Sequence, residues 1–158
     1  MRSPMKCTTL FTALLTVLAC TGAAAQQPAL RPVTDAMLQN PEPGEWLSWR
    51  RTLNHWGYSP LTQLNKRNVA QLRLVWTRPL AQGVQEGTPL VHDGVMFLPT
   101  PGGGAQAIDA TNGDFLWEFR APTPKEGNGN VRPTPTRNIA IYGNNIYVTT
   151  GEDRKSVV

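Results

Sequence analysis

Four side chains are of the types that most often carry reaction chemistry unaided: Cys7, Cys20, His55 and His92. A thiolate serves as nucleophile or metal ligand, and an imidazole as general base or ligand. Their positions argue against each use. Both cysteines lie in residues 1–25, which have the make-up of a cleavable export signal: a positive start with Arg2 and Lys6, an apolar run from Leu10 to Ala19, and the small-residue triplet Ala23-Ala24-Ala25. That run is shorter than the roughly 20 apolar residues of a membrane span, so cleavage after Ala25 and export to the periplasm are expected. The mature chain then holds no thiol and no disulfide. The alternative is a lipoprotein processing box, Val17-Leu18-Ala19-Cys20, with a lipid anchor at Cys20. His55 stands in a Trp-rich stretch and His92 beside a turn, with no His/Asp/Glu spacing that matches zinc. Gly102-Gly103-Gly104 is not followed by Lys-Ser/Thr and opens no helix, so it is not a phosphate loop.

The elements that would position other chemistry are short strands. Of the 158 residues, 40% are hydrophobic and 16% charged, which is ordinary for a globular chain and names no function. Fourteen Gly, fourteen Pro and five Trp favour strands joined by tight turns over a helical bundle. The net charge of +4 falls to +2 without Arg2 and Lys6, and pairs such as Arg50-Arg51 and Lys66-Arg67 have no basic-aromatic repeat. No nucleic-acid partner is expected.

Along the chain, residues 26–72 read as an arm and a wrapped surface element. Thr34–Leu38 is a candidate helical turn, and Val69–Leu72 a second short helical piece. From residue 73 the rhythm changes to short apolar runs separated by turns, beginning with Leu74-Val75-Trp76. Thr88–Val91 and Val95–Leu98 flank Asp93-Gly94, a hairpin signal because both central residues of a type I′ turn need positive φ. Ala105–Asp109 and Phe115–Phe119 flank Thr111-Asn112-Gly113 and predict a second hairpin, so four strands make one antiparallel sheet. Ile139–Tyr142, Gly143-Asn144-Asn145 and Ile146–Thr149 begin the same pattern again. Repeated four-stranded sheets point to an all-β propeller: one blade and the start of the next over residues 73–158.

Two motifs carry a family resemblance. The first is Glu45-Trp46, then Tyr58-Ser59-Pro60-Leu61, Leu64-Asn65, Asn68-Val69 and Leu72-Arg73. This resembles the N-terminal signature of pyrroloquinoline quinone (PQQ) dependent alcohol dehydrogenases, with Arg50 before Arg51 where the family usually has Gly. The second runs from Ala107 to Trp117 and is similar to that family's tryptophan-docking repeat, with Asn112 in place of the usual Thr. In it Ala107, Asp109, Gly113 and Trp117 have structural roles: Gly113 supplies the turn, Asp109 bonds backbone near it, and Trp117 offers a flat ring to the next blade. The resemblance covers about residues 39–150.

The resemblance implies an eight-bladed propeller in which PQQ lies over the axis beside a calcium or lanthanide ion. A small alcohol gives a hydride to the quinone and its hydroxyl proton to a carboxylate, the ion polarises the accepting carbonyl, and cytochrome c or a quinone takes the electrons. Three residues match positions that contact PQQ: Glu86 in Gln85–Leu90, Arg137 in Thr136–Gly143, and Thr150. A guanidinium suits the carboxylates and quinone oxygens of such a cofactor. Many members carry a vicinal disulfide in the loop before this arginine. Here Arg132–Thr136 has no cysteine, which implies a divergent branch in which disulfide-dependent electron transfer does not apply.

The chain ends within an expected strand and turn, and the polar run Glu152–Lys155 fits the family poorly. The expectation is a truncated chain, inactive alone, with the metal ligands, catalytic aspartate and six or more blades beyond Val158. A non-enzymatic propeller lipoprotein acting as an envelope scaffold is the other reading. It explains the repeat and Cys20 but neither the Glu45–Arg73 signature nor the joint presence of Glu86 and Arg137.

Overall fold

The computed structural model describes residues 29–121, 137–149 and 155–157. The expected export segment with Cys7, Cys20 and Ala25, the loop Arg132–Thr136, and Thr150 lie outside the described residues. The arm enters through a short helix α1 (Asp35–Gln39), capped by Thr34, whose Oγ1 accepts a hydrogen bond from the Met37 amide. The second helical piece is a single 3-10 turn, Val69–Gln71.

Four strands form the first sheet in the order of the chain: β1 (Leu90–His92), β2 (Val95–Thr100), β3 (Gly104–Asp109) and β4 (Phe115–Phe119), all antiparallel. The β1–β2 loop is Asp93-Gly94, with φ of 48° and 77°, the two positive values that a type I′ turn demands. A second sheet holds β5 (Ile139–Tyr142), β6 (Asn145–Thr149) and β7 (Lys155–Val157). Its first loop is Gly143-Asn144, and only Gly143 has positive φ, as type II′ requires. Lys155–Val157 pairs antiparallel with β6 and adds the third strand.

Strand alternation decides what the sheets bury. Leu90, Val95, Phe97, Ala105, Ala107, Trp117 and Phe119 lie on one face of the first sheet by register, and Ile139, Ile141, Ile146 and Val148 share a face of the second. The two faces meet in one apolar cluster, to which Val33 and Leu47 of the N-terminal region contribute. Phe97 and Leu90 are each 1% exposed, and burial of such a side chain is worth about 1.5–3 kcal/mol. Phe97, Ala107 and Trp117 stand in one row across three strands. The small Ala107 lets the flanking rings approach to 6.0 Å between centroids.

Two details depart from the sequence pattern. Strand β2 runs two residues past Leu98, through Pro99 and Thr100. Proline is tolerated there because β1 ends at the partner of Phe97, leaving that side of Pro99 without a neighbouring strand. The apolar run Leu74–Trp76 forms no strand, and Leu74 and Val75 are each 81% exposed. Only Trp76 packs inward. Its ring lies against Gly113, where a Cβ would come within 2.7 Å of Cε3, and its Nε1 donates to the Ala110 carbonyl at 3.2 Å.

Candidate cofactor site

Glu86 and Arg137, 51 residues apart in the chain, meet beside the first sheet: Arg137 Nε donates to Glu86 Oε2 at 2.6 Å. Glu86 is carried by the extended segment that feeds β1, and Arg137 by the segment that feeds β5, so the meeting of the two sheets brings the side chains together. Gly87 makes that approach possible. A Cβ on it would collide with the Pro99 ring and lie 3.2 Å from the Arg137 carbonyl oxygen. Both charged side chains remain open, at 69% for Arg137 and 41% for Glu86. Among the described residues the guanidinium uses only Nε, so both Nη groups are free to bond an added anion. An open guanidinium fork beside a carboxylate suits a flat ligand bearing both carboxylates and polar ring atoms.

The docking residues occupy β3, β4 and their turn. Asp109 Oδ1 accepts from the Thr111 amide at 2.8 Å, which holds its carboxyl below the usual range together with the stronger bond from the Thr111 hydroxyl. The Gly113 amide closes the turn on the Asp109 carbonyl at 2.9 Å, with Gly113 φ at 79°. Trp117 packs toward Phe97 and lines, with Ile141 and Ile146 of the second sheet, a cavity of about 570 Å³. The ring on Gly113 is that of Trp76, a residue the sequence pattern marked only as part of an apolar run. Arg78, two residues on, stacks its guanidinium over Phe115 at 5.1 Å from the ring centroid and bonds the Gly113 carbonyl at 3.5 Å.

A second charged cluster joins the arm to the β1–β2 hairpin. His92 is 1% exposed; its Nδ1 lies 2.7 Å from Glu45 Oε2 and its Nε2 2.7 Å from the Arg31 carbonyl oxygen. The Arg31 side chain grips Asp93 through Nε at 2.8 Å and Nη2 at 2.6 Å, and its amide donates to the same carboxylate at 2.8 Å. Arg31 holds the Asp93 carboxyl below its ordinary range, chiefly through the side-chain hydrogen bonds. Glu45, His92 and Asp93 offer ligand-type atoms within 4.8 Å of one another, but the cation among them is already the Arg31 guanidinium. No local spacing marks a role for His92, since Glu45 is 47 residues away.

The glucose/ethanol/alcohol dehydrogenase β-propeller domain, a PQQ family, matches residues 46–156. The dehydrogenase subunit of the quinone alcohol dehydrogenase of Komagataeibacter europaeus is 37% identical over 118 residues, 71% of this chain and 15% of its own length. Quinohemoprotein alcohol dehydrogenase ADH IIB of Pseudomonas putida is 32% identical over 157 residues, 98% of this chain and 22% of its own. The solved quinohemoprotein alcohol dehydrogenase ADHIIG of P. putida HK5 superposes with a TM-score of 0.71 at 31% identity, over 82% of this chain and 19% of that one. The chain thus spans about a fifth or less of the length of these relatives. Domain match, sequence identity and superposition agree with the two motifs and the all-β sheets, and the chain belongs to the PQQ-dependent glucose/ethanol/alcohol dehydrogenase β-propeller family.

Proposed function

We propose that this chain contributes the Glu86–Arg137 side of a PQQ site in an alcohol-oxidising dehydrogenase of the periplasm, to which residues 1–25 would direct it. The observation that carries the reading is the 2.6 Å contact between Arg137 and Glu86, which joins the two cofactor positions implied by the family motif. When bound, PQQ supplies the hydride acceptor for oxidation of the alcohol carbon. Arg137 would bind and orient the anionic cofactor through its free guanidinium donors, and Glu86 would fix the guanidinium and accept from polar hydrogens at the cofactor rim. Thr150, one residue past β6, is assigned to the same site from the motif alone. No metal ligand is assigned to this chain. The calcium or lanthanide ion, the proton-accepting carboxylate and the contacts to cytochrome c or a quinone acceptor belong, on this reading, to other parts of the enzyme.

The test is direct binding of PQQ to the 158-residue chain, followed by equilibrium dialysis and tryptophan quenching. Arg137→Gln is expected to weaken binding by at least about tenfold, the loss of one charge-assisted contact, with a smaller effect for Glu86→Gln. Binding that neither substitution alters would overturn the site and favour the scaffold reading.

A further inference from the structure

We propose that Arg31, Glu45, His92 and Asp93 form a proton-dependent clasp that fastens the N-terminal arm across the two sheets. The inference is independent of the PQQ site and rests on what His92 touches. Its two ring nitrogens face Glu45 Oε2 and the Arg31 carbonyl oxygen, each at 2.7 Å. A carbonyl can only accept, so Nε2 must carry a hydrogen. Glu45 Oε1 accepts from the Asp93 amide at 3.2 Å and faces Arg31 Nη2 at 3.5 Å. A carboxylate also only accepts, so Nδ1 must carry a hydrogen too. The contacts are all satisfied when His92 is the imidazolium. With one proton gone, a ring lone pair faces an oxygen lone pair in a side chain that is 1% exposed.

The other charged groups around the ring set its surroundings. Asp93 Oδ2 lies 3.5 Å from Nε2, Glu42 binds Arg31 from outside at 3.2 Å, and Glu118 lines the cavity beside the ring while paired with Arg120 at 2.8 Å. Arg31 is two residues from Val33, whose amide and carbonyl bond Gly143 of the second sheet at 2.9 and 2.8 Å. Leu30 and Arg31 also wall the cavity of about 570 Å³ between the sheets. Losing the Arg31 carbonyl contact therefore loosens the bridge to the second sheet and opens that cavity. Both ring contacts are met only while each ring nitrogen carries a hydrogen, so removing one as pH rises weakens docking.

Amide hydrogen exchange of the unsubstituted 158-residue chain tests this across about pH 5 to 9, a range spanning imidazole titration. After correction for the intrinsic pH dependence of exchange, protection of Val33 and Gly143 is expected to fall at least about tenfold toward the alkaline end, while Phe97 and Ala107 in the first sheet keep theirs. Ring nitrogen shifts of His92 should change from the doubly protonated to the neutral form over the same interval. In His92→Gln the dependence should vanish. Arm protection that stays flat with pH, a ring already neutral while the arm is protected, or an undiminished slope in His92→Gln would each overturn the clasp. The first two readings need no variant, so they hold even if the substituted chain does not fold.

Discussion

The clasp and the cofactor pair are both made of acidic and basic side chains, yet they are built in opposite ways. In the clasp, His92 and Glu45 are buried and each is bonded at more than one atom. In the cofactor pair a single contact joins side chains that are 69% and 41% exposed. Redundant bonds to buried groups hold a fold, because removing one partner strands the other away from water. A single exposed contact holds little and leaves donors for a ligand. The difference sets a buried structural cluster apart from the pair proposed to bind a cofactor, without reference to either motif.

The sharpest way to break that contrast is His92→Ala, which leaves the Glu45 carboxylate buried without its main partner. It should destabilise the chain by about 3 kcal/mol in urea unfolding; a loss below about 0.5 kcal/mol would mean that the clasp carries no weight. Gly113→Ala comes next. The residue would sit at φ 79° with its Cβ 2.7 Å from the Trp76 ring, and a cost of about 1–2 kcal/mol should come with a shift in Trp76 fluorescence. An unchanged spectrum would remove Trp76 from the turn.

Acid sharpens the comparison from the other side. Arg31 keeps the Asp93 carboxyl below its usual range, so this contribution is complete above the ordinary aspartate value of about 3.9 and is lost as pH falls through the lower, folded-state value. Protection of the Val33 amide should therefore drop on acidification as well as on alkalinisation, and Asp93→Asn should abolish the acid limb. The smallest effect belongs to the cofactor pair. Glu86→Gln should change stability by less than about 1 kcal/mol while still weakening PQQ binding, and a large destabilisation would make the pair structural instead.

Much of the sheet was legible because its signals are local. Asp93-Gly94 between apolar runs, the Thr111–Gly113 turn, Gly143 and the Thr34 cap each act within a few residues, and each marks a turn or helix end that the structure contains. Leu74–Trp76 misled by the same logic: an apolar run becomes a strand only if a neighbour supplies ladder bonds, and no described strand pairs with it. Glu86 and Arg137 were readable from motif matches, although nothing local says that they touch.

From the sequence alone came the β class, the turn positions, the alternation that chooses a buried face, and the family membership that the domain match supports. Which distant groups meet was decided only by the packing of the two sheets and the arm. Gly87 against Pro99, Trp76 on Gly113, and His92 between Glu45 and Arg31 join residues 12 to 61 positions apart. Hydrogen bonds and charges act over a few ångströms, so such contacts exist only once the backbone has brought their partners within reach.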